Sequence, residues 1–377
     1  MVLYHALKAL ASRGVDVTLV APCDREFNPE RAAVKLSTIC HPILVSPQRR
    51  PKIFSLARAF IAGSPFSIEH HRNRMLSEEV KTLLAREKFD LIYAEQLQAV
   101  ANCPRDSTIP LVLRAQNVES DRDLWQARAS YRPALRSILA REARRLRKCE
   151  AEAVRQSGAT FALTERDAAR LEGIANQSGK VTWVPAQFPA RLEAGTSRLS
   201  GEPALVMFGA SSWLPNADGM RWFMRAIWPT ISARVPRAVL HLFATVPVHA
   251  GSPNAVVHAA LRDSVEVFGV NSILLVPLRI AIGVRIKILE AWARGIPVIA
   301  TPEAAEGLGA TDGQELILAR DGHEFSVAIA RLHQNPELRE SITERARSRL
   351  RKVHNPDLIA GQMIALCERV IAARRSS

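Results

Sequence analysis

Along the chain, short unbroken apolar runs alternate with stretches in which apolar residues recur at helical spacing. The run Ile273 to Leu278 is continuous, as in a parallel strand buried on both faces, and it breaks at a loop holding Gly283. From Val284 to Ala293 the positions Ile288, Leu289 and Trp292 share a helical face. Gly295 and Pro297 then end that helix, and Val298 to Ala300 begins a further strand. Nearer the start, Leu3, Ala6, Leu7 and Leu10 lie on one face of a helix ending at Arg13-Gly14, and Val15 to Ala21 reads as a strand. Arg49 to Ser67 reads as a basic, proline-containing connection and Met75 to Lys88 as a helix. Strands are expected at Phe89 to Ala94 and Ile109 to Arg114, a long arginine-rich helix at Tyr131 to Gln156, and short strands at Thr160 to Thr164 and Val181 to Val184.

The pattern restarts beyond Pro189 to Pro203, a stretch rich in Gly, Ser, Ala and charge. Strands are expected at Ala204 to Phe208, Ala238 to Phe243, Val265 to Phe268, Ile273 to Leu278, Val298 to Ala300 and Leu316 to Leu318. Helices are expected at Asn216 to Ile231, Glu324 to Gln334, Pro336 to Lys352 and Pro356 to Arg375. Two such arrays predict an α/β chain of two Rossmann-like domains facing one another across a cleft. The expected divisions are a first domain over 1–188, a linker over 189–203, a second domain over 204–355, and a C-terminal helix over 356–377 that packs back on the first. A doubly wound domain ordinarily opens with a strand, so the first domain is read as lacking its usual first one. One interval resists the scheme: only Val270, Asn271 and Ser272 separate Gly269 from Ile273, whereas a crossover between parallel strands takes a dozen residues or more. Either the strands at Val265 and Ile273 are not both parallel members of one sheet, or this region is rebuilt.

A chain of 377 residues with 47% hydrophobic and 23% charged residues has the balance of a globular protein of two ordinary domains. Its net charge of +14 calls for an anionic partner: nucleotide phosphates, an acidic leaflet or nucleic acid. With aromatics at 6% and no basic motif interleaved with them, nucleic acid is set aside. Five scattered cysteines without C-x-x-C spacing indicate neither a disulfide framework nor a zinc site. No apolar stretch reaches membrane-spanning length and the start lacks a signal peptide's basic region, so a cytoplasmic protein is expected. The arginines of the helix over 132–155 read either as a solvated face or as a dock on the anionic inner face of the plasma membrane. In open parallel sheets ligands sit beyond the carboxyl ends of strands, which points to Arg279 through Lys287. Cations beside a helix start can seat a phosphate there, although a solvated basic turn fits the same residues.

Four segments together resemble the retaining, group 1 (family 4-like) GT-B glycosyltransferases of bacterial cell-wall and exopolysaccharide pathways. They are Ala115-Gln116-Asn117-Val118-Glu119; Phe208 through Asp218; Val276-Pro277-Leu278-Arg279 with Arg285 through Ala291 and Gly295 through Thr301; and Ala305-Glu306-Gly307-Leu308. The resemblance implies a nucleotide-sugar donor such as a UDP- or GDP-sugar, a glycan or lipid-linked acceptor, and neither cofactor nor metal. It assigns donor binding to Gly209, Ser211, Asn216, Arg279, Gly283, Arg285, Lys287 and Glu290. Arg285 and Lys287 would meet the diphosphate, and Glu290 would accept the ribose hydroxyls in charge-assisted bonds. Catalytic roles fall to Asn117, Glu119, Arg285 and Lys287, and acceptor-side roles to Glu95 and Gln96. An N-cap with a first-turn acid is an equally good reading of Asn117 and Glu119.

The pattern is broken in places. Gln96 stands where relatives often carry histidine and cannot act as a general base. Ala281-Ile282-Gly283 replaces a run of glycines, and Val184-Pro185-Ala186-Gln187 replaces the usual Val-Pro-Asn-Gly. A catalytically degenerate homologue that binds or scaffolds is therefore the alternative to an active transferase.

Overall fold

The computed structural model describes residues 2–376 apart from 24–27, 47–50, 130–131, 194, 211–212, 244–253, 260–263 and 281. It divides into two units, Met1–Ala186 with Pro356–Ser377, and Gln187–Asn355. Each is an α/β array with all-parallel strand pairing. Among the described residues no helix is long and apolar enough to cross a membrane.

The first unit runs α1 (Val2–Ala11), β1 (Thr18–Pro22), α2 (Pro29–Leu36), β2 (His41–Val45), α3 (Lys52–Ile61), α4 (Phe66–His71) and α5 (Arg74–Arg86). It continues with β3 (Ile92–Glu95), α6 (Leu97–Val100), β4 (Leu111–Ala115), α7 (Glu119–Ala129), α8 (Pro133–Gln156), β5 (Ala159–Ala162), α9 (Glu165–Ala175) and β6 (Val181–Trp183). Strands β3-β4-β5-β6 form one sheet and β1-β2 a second. Val112, Phe161 and Val184 are covered by Ile359 and Met363 of the C-terminal helix Pro356–Arg375. The basic connection expected over Arg49 to Ser67 holds α3 and the start of α4, separated by a short turn over 62–65. Helix α3 was not legible because its larger apolar residues face outward while Ser55 and Ala59 face in, the reverse of the usual helical stripe.

The second unit runs β7 (Ala204–Phe208), α10 (Leu214–Trp222), α11 (Trp228–Arg234), β8 (Val239–Phe243), β9 (Ala255–His258), β10 (Ser272–Val276), α12 (Ile286–Arg294), β11 (Val298–Ala300), α13 (Pro302–Ala305), β12 (Ile317–Leu318), α14 (Gly322–Gln334) and α15 (Pro336–Val353). The single helix expected over Asn216 to Ile231 is split by a π-helical turn, Phe223–Ile227. Pro229 explains the change of pitch, because it has no N–H to donate to the carbonyl one turn back and its ring crowds that carbonyl. Residues 189–203 lie along this unit: Leu192 N donates to Ala293 O at 3.1 Å and Asn271 Nδ2 to Leu199 O at 2.8 Å.

The sheet order is β12-β11-β10-β7-β8-β9. Val265 to Phe268 is not a strand: Ser264–Val267 is a 3₁₀ turn whose Val267 packs inward. The strand before β10 is β9, and residues 259–271 lie between them, length enough for a crossover. Strand β9 escaped the sequence pattern because it is a short edge strand with Val256 and Val257 exposed. The core beneath the sheet gathers Leu205, Phe223, Trp228, Ile231, Leu240, Ile299, Phe325 and Ile329. Phe223 is fully buried and meets Phe325 edge to face, with ring centroids 5.6 Å apart. Phe223→Ala is expected to cost about 3–5 kcal/mol, read as a lowered urea midpoint with an unchanged slope.

Candidate functional site

In the second unit the strand order reverses between β7 and β10, and such switch points open a crevice beyond the carboxyl ends of the strands. Strand β7 ends there at Phe208 and Gly209. Gly209 has φ +141°, and a Cβ on it would stand 2.6 Å from Asn216 Nδ2 and 2.7 Å from Lys287 Nζ, so only glycine lets the backbone pass this close. Lys287, half-buried in the first turn of α12, reaches back across the sheet end. Its Nζ donates to Phe208 O at 2.6 Å and Asn216 Oδ1 at 3.0 Å, and lies 5.3 Å from the centre of the Phe208 ring. Asn216 Nδ2 donates in turn to Ala210 O at 3.2 Å. These neighbours solvate an ammonium less well than water does, and desolvation pushes the Lys287 pKa down to about 8. The structure thus brings Gly209, Asn216 and Lys287 together; Ser211 lies outside the described residues.

The arginines behave differently. Arg279, just beyond β10, forms a fork with Asp218, at 2.7 and 3.0 Å, and lies over the Trp222 ring at 5.7 Å. Arg285, at the N-cap of α12, is buried: Nε donates to Ala304 O at 2.7 Å and Nη1 to Gly283 O. It ties the loop, in which Gly283 takes φ +64°, to α13. Thr301 makes a second tie by donating to Leu278 O while its Oγ accepts from Ala304 N. Glu290 is also buried. Its Oε1 accepts from Ser264 Oγ at 2.5 Å and from Arg294 Nη2 and Nε at 2.9 and 3.2 Å, and Arg294 stacks on Phe268 at 5.3 Å.

In the first unit the carboxyl ends of β3 and β4 carry the other candidates. Gln116 Nε2 donates to Glu95 Oε1 at 2.8 Å and its Oε1 accepts from Gln96 Nε2 at 3.0 Å. Gln96 has φ +77°, a strained value for a side-chain-bearing residue and one that clusters at ligand sites. Asn117 is half-buried in the turn before α7. Glu119 opens that helix, buried and ion-paired to Arg122 at 2.6 Å. Beneath them Glu150, from α8, accepts from Ser120 N at 3.1 Å and Ser120 Oγ at 2.5 Å, capping α7 from outside. Among the described residues no cluster of His, Cys, Asp or Glu is placed to hold a metal ion.

Residues 202–335 match the profile of the glycosyl transferases group 1 family. The chain carries a group 1 glycosyltransferase domain in a GT-B fold. Sucrose-phosphate synthase from Thermosynechococcus elongatus superposes with a TM-score of 0.65 at 16% identity, over 98% of this chain and 93% of that one. HepE from Anabaena, solved with UDP and glucose, gives 0.64 at 13% identity, over 98% and 95%. A Klebsiella pneumoniae protein described as an uncharacterized 44.6 kDa protein in the cps region is 21% identical over 174 residues, 42% of this chain and 45% of its own length. The switch point described above lies within the matched transferase domain. Three residues around it carried no assigned role in the sequence reading, namely Asp218, Ser264 and Arg294. Only the Glu290–Arg294 pair left a signal, its i,i+4 spacing.

Burial pushes the Glu150 carboxyl up from its ordinary 4.5 to about 7, more than the Ser120 bonds pull it down. The folded chain then binds more protons than the unfolded chain between those values, so stability falls as pH rises through that window and levels off above it. Glu150→Gln should flatten this part of the profile, read from urea midpoints at pH 5 and pH 8.

Proposed function

We propose that this transferase moves a sugar from a UDP- or GDP-type donor to a glycan or lipid-linked acceptor, with retention of anomeric configuration, in cell-envelope or exopolysaccharide synthesis. The observation that carries the donor half is Lys287, an ammonium held among neutral oxygens at the switch point. A diphosphate arriving there supplies the missing anion, and stabilising the leaving nucleotide as the glycosidic bond breaks is the same electrostatic task. The amides opening α12 add their dipole on that side. Supporting relatives are HepE, solved with UDP and with UDP-glucose, and the protein of a cps region for the exopolysaccharide setting.

Each remaining role follows from a contact. Ser264 Oγ donates to Glu290 as a ribose hydroxyl would, so the ribose takes the place of that hydroxyl against Oε1. Arg285 fixes the loop backbone through Nε to Ala304 O and Nη1 to Gly283 O, and its guanidinium adds positive charge for the diphosphate on that side. Arg279 holds Asp218 and lends positive potential at the rim. In the first unit Glu95, Gln96, Asn117 and Glu119 form the acceptor side. Gln96 positions by hydrogen bonds and moves no proton.

Thermal shift with UDP, GDP and their sugars at millimolar concentration tests the donor half. A rise in Tm with one of them is expected, with most of it lost in Lys287→Met. Glu290→Gln is the companion variant, because its amide oxygen can still accept from Arg294, whereas Glu290→Ala would leave the buried guanidinium no acceptor there; its shift is read against its own ligand-free Tm. No shift with any common nucleotide or nucleotide-sugar ends the donor reading, and a shift without turnover turns the protein into a binding homologue. Since Lys287 titrates near 8, nucleotide binding should take up a fraction of a proton at pH 8 and almost none at pH 6, measured by calorimetry in buffers of different ionisation enthalpy. An inverted anomeric signal in the proton NMR spectrum of the product would overturn retention.

A further inference from the structure

Helix α3 wears its apolar residues on the outside. Ile53, Phe54, Leu56, Phe60 and Ile61 are each 58% to 85% exposed, whereas Ser55 and Ala59 are buried. At 3.6 residues per turn, the exposed five and Ala57 fill one continuous arc of about 160°, with Arg58 on one border and Lys52 on the other. An apolar arc this wide on a solvent face marks an interaction surface, since scattered exposed hydrophobes are ordinary and a contiguous set is not.

The helix is also held in that attitude. Ser55 Oγ lies 3.3 Å from His70 Nδ1, and Arg58 Nε lies 3.4 Å from the buried Glu69. Beyond it, Phe66 N donates to Glu142 Oε2 at 2.8 Å and Arg145 Nη1 to Ser64 O at 3.4 Å, so the turn between α3 and α4 is pinned to α8. One and two turns before Glu142, α8 carries its own exposed pair, Ile138 and Leu135, along with exposed Arg136, Arg141, Arg144, Arg147 and Lys148.

Charge decides the occupant. No Asp or Glu occurs between Glu30 and Glu69, a stretch that holds Arg31, Lys35, Lys52 and Arg58. In a two-fold dimer this face would meet itself, setting cation against cation. An anionic bilayer offers what the face needs, phosphates at the rim and hydrocarbon beneath. We propose that α3 docks the protein on an anionic phospholipid bilayer, with Phe54, Phe60 and Ile61 at the acyl boundary and Lys52, Arg58 and the α8 arginines among the headgroups. This surface lies wholly in the first unit and does not depend on the donor reading.

The probe is the full chain with phosphatidylglycerol/phosphatidylcholine vesicles or phosphatidylcholine alone. Phe54→Trp should give a blue-shifted emission component, absent from the wild type, that brominated acyl chains quench and that appears only with the anionic vesicles. The double variant Phe54→Glu, Phe60→Glu should lower vesicle partitioning about 10-fold or more, because its apolar insertion is replaced by two anions. Its Tm should stay unchanged, and so should any shift caused by nucleotide, which keeps failure here distinct from failure of the donor reading. About 0.5 M NaCl should weaken binding without changing Tm. Equal binding to neutral vesicles, unaltered partitioning of the double variant or an unshifted emission from the Phe54→Trp variant would overturn the proposal. So would gel filtration showing a dimer that the double variant converts to monomer.

Discussion

An ammonium taken out of water must be answered by oxygens, and the second unit is built round one that is answered only in part. Lys287 reaches a carbonyl at the end of β7 and the amide of Asn216, yet remains held below its ordinary pKa by burial. That arrangement needs three things at once. A strand must end at the switch point, a residue without a side chain must let the lysine in, and a helix must start opposite. Gly209, β7 and α12 supply them. A site that holds a cation short of its full complement of partners is preorganised for an anion.

Around it the charged groups are mostly satisfied by each other, and that rigidity is useful. Arg285 and Thr301 fasten the loop between β10 and α12 onto the start of α13, so side chains help to define the turn. Glu290 and Arg294 are buried as a pair on successive turns of α12, with Phe268 stacked on the guanidinium and Ser264 closing the carboxylate. Breaking such a pair from one side costs several kcal/mol, on the order of 3–5, while replacing both partners together by well-packed apolar residues is far milder.

The first unit uses its buried carboxylate differently. Glu150 satisfies the buried amide and hydroxyl of Ser120 at the start of α7, next to Glu119, so helix and turn are oriented from α8. On its strained backbone, Gln96 donates from its side chain to Gln116, which in turn donates to Glu95. The two strand ends that bear the acceptor-side candidates are thus crosslinked by amide side chains, a contact between residues 20 positions apart.

Much of the fold was legible because a parallel strand covered on both faces leaves an unbroken apolar run. Ala204–Phe208 and Val298–Ala300 are found where that rule puts them. The rule failed where burial and strand formation part company. Val265 to Phe268 is apolar because it packs inward from a 3₁₀ turn, and β9 and α3 turn apolar residues to solvent. The group 1 segments named Gly209, Asn216 and Lys287 one at a time, since each is a local feature of chain chemistry. That Lys287 bonds Phe208, 79 positions away, that Arg285 donates to Ala304 of α13 and that Ser264 donates to Glu290 was decided by tertiary structure. The physical reason is that a sequence fixes which groups can donate or accept, whereas the sheet order fixes which of them meet.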